Sequence, residues 1–305
     1  MKIYFFVFLL VLFYSCNQGE IEYYRDNNPK INIYIVKEGQ LELHESITDL
    51  DTLELENNPW VQNTDIEFYD WSAQTFYLNK EVEKEKFSGR HFVVTSDDNR
   101  LFAGVFFPMY LSSLPTLPSI TPDDGFFGPT DVIGFGHFGT FRPGELDKKM
   151  TFKSELIAAG HLREGIEIEL INVKKQNSKT LQYTFKITNK ESDNIYVLDP
   201  DKMGSSRFHY FTNGISIMKN NMYYWPQDFQ TIASETIKSQ WYYKLAPGKS
   251  ISRSVEIDGY TSLPDGKVKA TFRFPGANLK NPSEWKKSDG RIWLGEYYCE
   301  KEITL

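Results

Sequence analysis

Gly134-Phe135-Gly136-His137-Phe138-Gly139 has the glycine spacing that lets a backbone close on the phosphates of a dinucleotide. That chemistry needs a strand before the string, a helix opening at the third glycine and an acid about 20 positions on. Thr140-Phe141-Arg142-Pro143-Gly144 follows instead, and its proline and glycine cannot open the helix. A glycine-rich strand or bulge is therefore expected, and no cofactor. His137 is the histidine to watch, because neighbouring glycine exposes a side chain. His44, His91, His161 and His209 are scattered. No pair has a spacing such as H-x-x-x-H, and no metal site is expected. Asp123-Asp124-Gly125 and Asp199-Pro200-Asp201 lack the spaced acids of a calcium loop and read as turns. The serine-hydrolase elbow G-x-S-x-G is absent. One catalytic reading stays open: a hydrolase site in the first half, if the fold gathers Asp97, Asp123 and His137.

Aromatic clusters offer binding rather than catalysis. Tyr223-Tyr224-Trp225-Pro226 lies in a loop-like stretch, and Trp241-Tyr242-Tyr243 opens a strand. Neighbours on a strand face opposite sides, so some of these rings must meet solvent, an interdomain seam or a partner. Tyr223, Tyr224, Trp225 and Trp241 are thus candidate contacts for a protein partner or for sugar rings. Packing between domains is the competing reading.

The second half must position those rings, and its pattern is clear. Ile166, Ile168 and Leu170 alternate with Glu167 and Glu169; Leu181, Tyr183, Phe185 and Ile187 alternate with polar residues; so do Val268, Ala270, Phe272 and Phe274. Period-two alternation means strands with one buried face. Asn213-Gly214, Pro247-Gly248 and Asp265-Gly266 supply turns between them. Seven or more short strands at this spacing suggest an antiparallel sandwich. The stretch LAPGKSISRSVEIDGYTSLPDGKVKATFRFPG, followed by RIWLGEYYCEKEITL, resembles the last strands of Ig-like domains of bacterial envelope proteins. The resemblance implies an Ig-like sandwich over residues 163–305. Cys299, in a strand-like stretch, reads as a small buried hydrophobe.

The first half mixes types. Ile31, Ile33 and Ile35 alternate with Asn32 and Tyr34; residues 65–69 and 75–78 look like strands; residues 92–94 and 101–107 flank the hairpin signal Asp97-Asp98-Asn99. Asn79 is expected to cap a helix over Lys80–Phe87, and Thr151–Ala159 to form a helix stopped by Gly160. Strands with interspersed helices and no βαβ rhythm predict an α+β domain over residues 29–162. The segment NTDIEFYDWSAQTFYLNKEV with HFVVTSDDNRLFAGVFF resembles the periplasmic head domain of the SecD translocase component, which implies fold rather than activity.

The start of the chain gives an address. Lys2 precedes the uncharged apolar run Ile3–Tyr14. A membrane-spanning helix needs about 20 apolar residues, so this run reads as the core of a signal peptide over residues 1–15. Ser15-Cys16 follows at once, and it resembles the lipobox of Bacteroidota-type lipoproteins. That resemblance implies acylation of Cys16, a polar tether over residues 16–28 and attachment to the cell envelope, at the outer membrane. Two or three acyl chains, at about 0.8 kcal/mol per buried CH₂, anchor a folded domain stably. Net charge −7 argues against nucleic acid as a partner. With 40% hydrophobic residues, including 23 Phe, 18 Tyr and 6 Trp, the chain has ample material for packed cores. The expectation is a membrane-anchored lipoprotein with a non-catalytic binding or accessory role in an envelope complex. The alternatives are a glycan-binding lipoprotein of a polysaccharide-uptake system and the hydrolase described above.

Overall fold

The computed structural model describes residues 28–43, 47, 49–108, 110–111, 115, 117–122, 128–136, 150–212, 214–226, 237–277 and 279–305. The apolar leader, Cys16, nearly all of the tether, His44, Asp123 and His137 lie outside the described residues. Among the described residues strands account for 45% and helices for 12%. The molecule is built from several mainly antiparallel sheets.

The first half holds β1 (Ile31–Ile35), β2 (Ile66–Asp70), β3 (Thr75–Leu78), β4 (His91–Ser96), β5 (Asn99–Phe106), β6 (Ser119–Ile120), β7 (Val132–Gly134), helix α1 (Met150–Ala158) and β8 (Leu162–Arg163). They form two sheets, ordered β1-β4-β5-β6 and β7-β3-β2-β8. The alternating isoleucines of β1 all point inward, as a strand with one buried face requires. Ser96 pairs with Asn99 across a tight turn in which Asp97 takes φ 49°, a conformation Asp tolerates. Tyr69 and Phe76, paired within one sheet, meet edge to face at 4.6 Å, and Phe102 of the other sheet meets Phe135, just past β7, edge to face at 5.8 Å. Phe152 of α1 closes this core against Phe102 at 5.1 Å.

Two expectations fail here. Residues 80–84 form no helix; only a single 3₁₀ turn, Glu85–Phe87, is present. Asn79 lies well before that turn, whose cap position is Lys84, and its side-chain amide donates to the Thr64 carbonyl at 2.7 Å. Ser119–Ile120, in a proline-rich stretch, forms β6, which pairs in parallel with β5. The helix before Gly160 does form, and Gly160 takes φ 73° just past its end.

The second half holds β9 (Ile166–Lys175), β10 (Leu181–Asn189), β11 (Asn194–Leu198), α2 (Pro200–Met203), α3 (Ser205–Thr212), β12 (Ile215–Lys219), β13 (Met222–Tyr224), β14 (Tyr242–Leu245), β15 (Ser250–Ile257), β16 (Lys267–Pro275), β17 (Lys286–Lys287), β18 (Gly290–Ile292) and β19 (Glu296–Thr304). Sheet β15-β10-β9 faces sheet β13-β12-β16-β19. Phe185 of β10 meets Phe272 and Phe274 of β16 at 5.2 and 5.6 Å, and Phe208 of α3 stacks on Phe185 at 5.8 Å. A third sheet, β14-β11-β18-β17, closes one side. Asp199-Pro200-Asp201 is not a turn. Asp199 caps α2 by accepting the Asp201 amide at 3.1 Å, and Pro200 fits the first helical turn, where no amide partner is needed.

The halves share a seam. Strand β8 pairs in parallel with β2, so the chain enters the second half from inside a first-half sheet. One face of that sheet (Tyr69, Phe76) lines the first core, while the opposite face (Phe68, Tyr77, Val132) lies in the apolar core of the second half. Trp285 packs edge-on against Tyr77 at 4.7 Å and Phe68 at 5.7 Å. The polar joints are also specific. Arg291 donates to Asp70 Oδ2 at 2.5 Å and to Glu191 Oε1 at 2.6 Å, with all three side chains buried. Trp285 Nε1 donates to Asp131 Oδ2 at 3.0 Å, and Trp293 Nε1 to Ser72 Oγ at 2.9 Å. Burial works against the Arg291 charge, but Asp70, Tyr77 and Glu191 more than offset it, and its pKa is raised.

Candidate functional site

The outer face of sheet β13-β12-β16-β19 presents exposed aromatics. Asn220 and Asn221 take φ 51° and 61°, the pair of positive angles of a two-residue type I′ hairpin. Tyr223 and Tyr224 therefore lie in β13, an edge strand, and not in a loop. Tyr223 and Trp225, two positions apart, share a face and stack at 5.8 Å with 23° between their planes. They are 57% and 51% exposed, and Met222 is 60% exposed. Tyr224 points the other way and packs against the core.

The same face continues across the sheet as a polar row. Tyr223 lies opposite Met218, Met218 opposite Lys269, and Lys269 opposite Glu302. Lys269 pairs with Glu300, whose hydrogen bond is the main reason the lysine pKa is raised. Tyr298 donates to Glu300 Oε1 at 2.6 Å, and the Arg273 guanidinium sits 5.8 Å from the Tyr298 ring.

Trp241 does not belong to this face. It ends the 3₁₀ turn Ser239–Trp241, is 4% exposed and packs on Phe211 at 5.5 Å. Its indole supplies buried area beneath α3, so its place among candidate contacts is corrected. Cys299 is corrected too. It is half-buried rather than buried, burial raises its pKa, and it lines an open groove of about 670 Å³ along the seam.

That groove runs between the Trp71–Gln74 turn, α1, the start of β9 and the start of β19. Lys153 lies 4.9 Å from the centre of the Trp71 ring and 3.2 Å from Glu164. Lys190 lies 3.4 Å from Glu167. Tyr298 and Glu300 line the groove and also belong to the aromatic face, so the two surfaces are continuous. Sequence reading missed the groove because Trp71, Lys153, Glu164 and Tyr298 are far apart in the chain. Only the alternation of β19 carried any signal, by marking Tyr298 as facing away from Tyr297 and Cys299.

The other sequence candidates fall elsewhere. Asp97 stands at the tip of the β4–β5 hairpin, where its carboxylate accepts the Lys30 amide at 2.9 Å. Asp123 and His137, its partners in the hydrolase reading, lie outside the described residues. Among the described residues no three His, Cys, Asp or Glu side chains converge as a metal site would require. No helix among them is long and apolar enough to cross a membrane. His209 is buried in α3, and that burial lowers its pKa to about 4. Comparison with known proteins finds no matching family model and no matching curated relative.

Proposed function

We propose that this chain is a bacterial cell-envelope lipoprotein, acylated at Cys16 at the outer membrane, with a non-catalytic binding role in an envelope complex. The observation that carries the binding role is the exposed stack of Tyr223 on Trp225 on the outer face of a rigid sheet. Two large rings held half in water by a hairpin cost solvation without supplying core, the pattern of a contact surface. The strand pairing supports an Ig-like reading of the second half. Strands β9, β10 and β15 correspond in order and pairing to A, B and E of such a domain, and β12, β16 and β19 to C, F and G. Strand β13 then adds beside C, and the third sheet is insertion. Among the described residues of the first half, two sheets and helix α1 support an α+β reading.

The test is recovery of the membrane-anchored protein from its own envelope after mild crosslinking. A specific envelope component should co-purify, and both Cys16→Ala and Trp225→Ala should lose it. Labelled fatty acid should enter the wild-type chain and not Cys16→Ala. Recovery unchanged by Trp225→Ala would remove the aromatic face from the contact.

A further inference from the structure

Resting on that binding role, we infer that the seam groove and the adjoining aromatic face form one extended site for a neutral polysaccharide chain. The groove supplies the chemistry of a hydroxyl-rich, uncharged ligand. Its lysines are already matched by carboxylates, Lys153 with Glu164 and Lys190 with Glu167, so no unbalanced charge waits for an ion. Each of these exposed pairs keeps spare donors or acceptors, which sugar hydroxyls can use in charge-assisted hydrogen bonds. Trp71 and Tyr298 add aromatic surface for the apolar faces of sugar rings. A groove of about 670 Å³ is sized for a few sugar units rather than for a folded partner.

The outer face extends the site. Tyr298 and Glu300 lead from the groove to Lys269, and Met218 and Tyr223 continue the row to the β13 edge. Four strands at about 4.8 Å spacing put roughly 14 Å between the β19 and β13 ends of that row. A linear polymer that crosses this row reaches from the groove to the Tyr223–Trp225 stack. A short ligand reaches only one of the two.

The test is affinity electrophoresis of the full chain in detergent through gels containing dextran, laminarin, glucomannan or xyloglucan. At least one polymer should retard the wild-type protein. Trp71→Ala, the surface double variant Glu164→Ala/Glu167→Ala and Trp225→Ala should each weaken that retardation about tenfold. Both groove glutamates are exposed, so the double variant stays folded and decides the matter if Trp71→Ala does not. The retarding polymer should also slow alkylation of Cys299, which lines the groove. Absence of retardation by all four polymers overturns the inference, even where crosslinking recovers a protein partner and the binding role stands. Retardation sensitive to Trp225→Ala but not to the glutamate variant overturns the groove's part and leaves the aromatic face as the site.

Discussion

Arg291 reaches Asp70 across 221 positions of sequence, and its guanidinium meets the carboxylate at 2.5 Å where neither group touches water. Glu191 completes the arrangement from the second half. The three charges join β2 to β18 and to the loop after β10, so they set how the halves dock. Arg291→Ala would remove the cation that faces buried Asp70 and leave Glu191 with the longer Arg163 contact at 3.7 Å. A loss of about 3–5 kcal/mol is expected, read as a lowered midpoint in urea unfolding. A loss below about 1 kcal/mol would mean that water reaches the acids in the folded state.

Gly165 stands beside the same joint at φ 75°. A Cβ there would fall 2.0 Å from Ser72 Oγ and 2.3 Å from Asp70 Oδ1. Ser72 donates to Asp70 and accepts from both the Ile166 amide and Trp293 Nε1, so it has no room to yield. Gly165→Ala should destabilise by about 2 kcal/mol or more through strain and broken hydrogen bonds. Gly39→Ala is the control, since its positive φ is similar but open space surrounds it. The control should cost only about 1 kcal/mol.

Two tryptophans separate surface from core. Trp225→Ala removes an exposed ring, so thermal stability should shift by no more than about 0.5 kcal/mol while binding is lost. Trp241→Ala empties a packed site beneath α3 and should cost about 3–5 kcal/mol. Thermal melts of the two variants side by side give the answer. A large loss for Trp225→Ala would mean that its ring supports the fold.

His209 gives an acid limb to stability. Burial lowers its pKa from 6.5 to about 4 in the folded chain, so the unfolded chain binds the proton more readily between those values. Its contribution is complete above about pH 6.5 and is lost progressively as pH falls towards 4, a loss of about 3 kcal/mol at most. His209→Gln should lack this limb. Urea midpoints at pH 7 and pH 4.5 should therefore fall less in the variant than in the wild type.

The strands were legible and their partners were not. Alternation marked β9, β10 and β16 because each has one wet face, and burial follows it residue by residue along β10. It could not say that β2 and β3 are buried on both faces, since Phe68 and Tyr69 are both apolar whichever side they serve. Asn79 has the chemistry of a cap, but no helical turn follows it directly for its side-chain oxygen to serve. The Tyr223 hairpin was hidden in Asn220-Asn221, a weaker signal than Asn-Gly although both residues tolerate the positive φ of a type I′ turn. Asp199 was read as a turn although it carries three duties: it caps α2 and accepts two bonds from Arg253. The groove was out of reach because its walls come from segments far apart in the chain, from Trp71 to Glu300.

The double-faced sheet of the first half also dictates an order of assembly. Phe68, Tyr77 and Val132 are covered by residues such as Trp285, which a ribosome adds long after β2 and β3 exist. Until then the emerging first half carries an uncovered apolar flank and an acid with no counter-ion. Chains with such distant contacts fold slowly and expose sticky intermediates. A fragment stopped near residue 162 should therefore need a chaperone to stay in solution, while the intact chain should not.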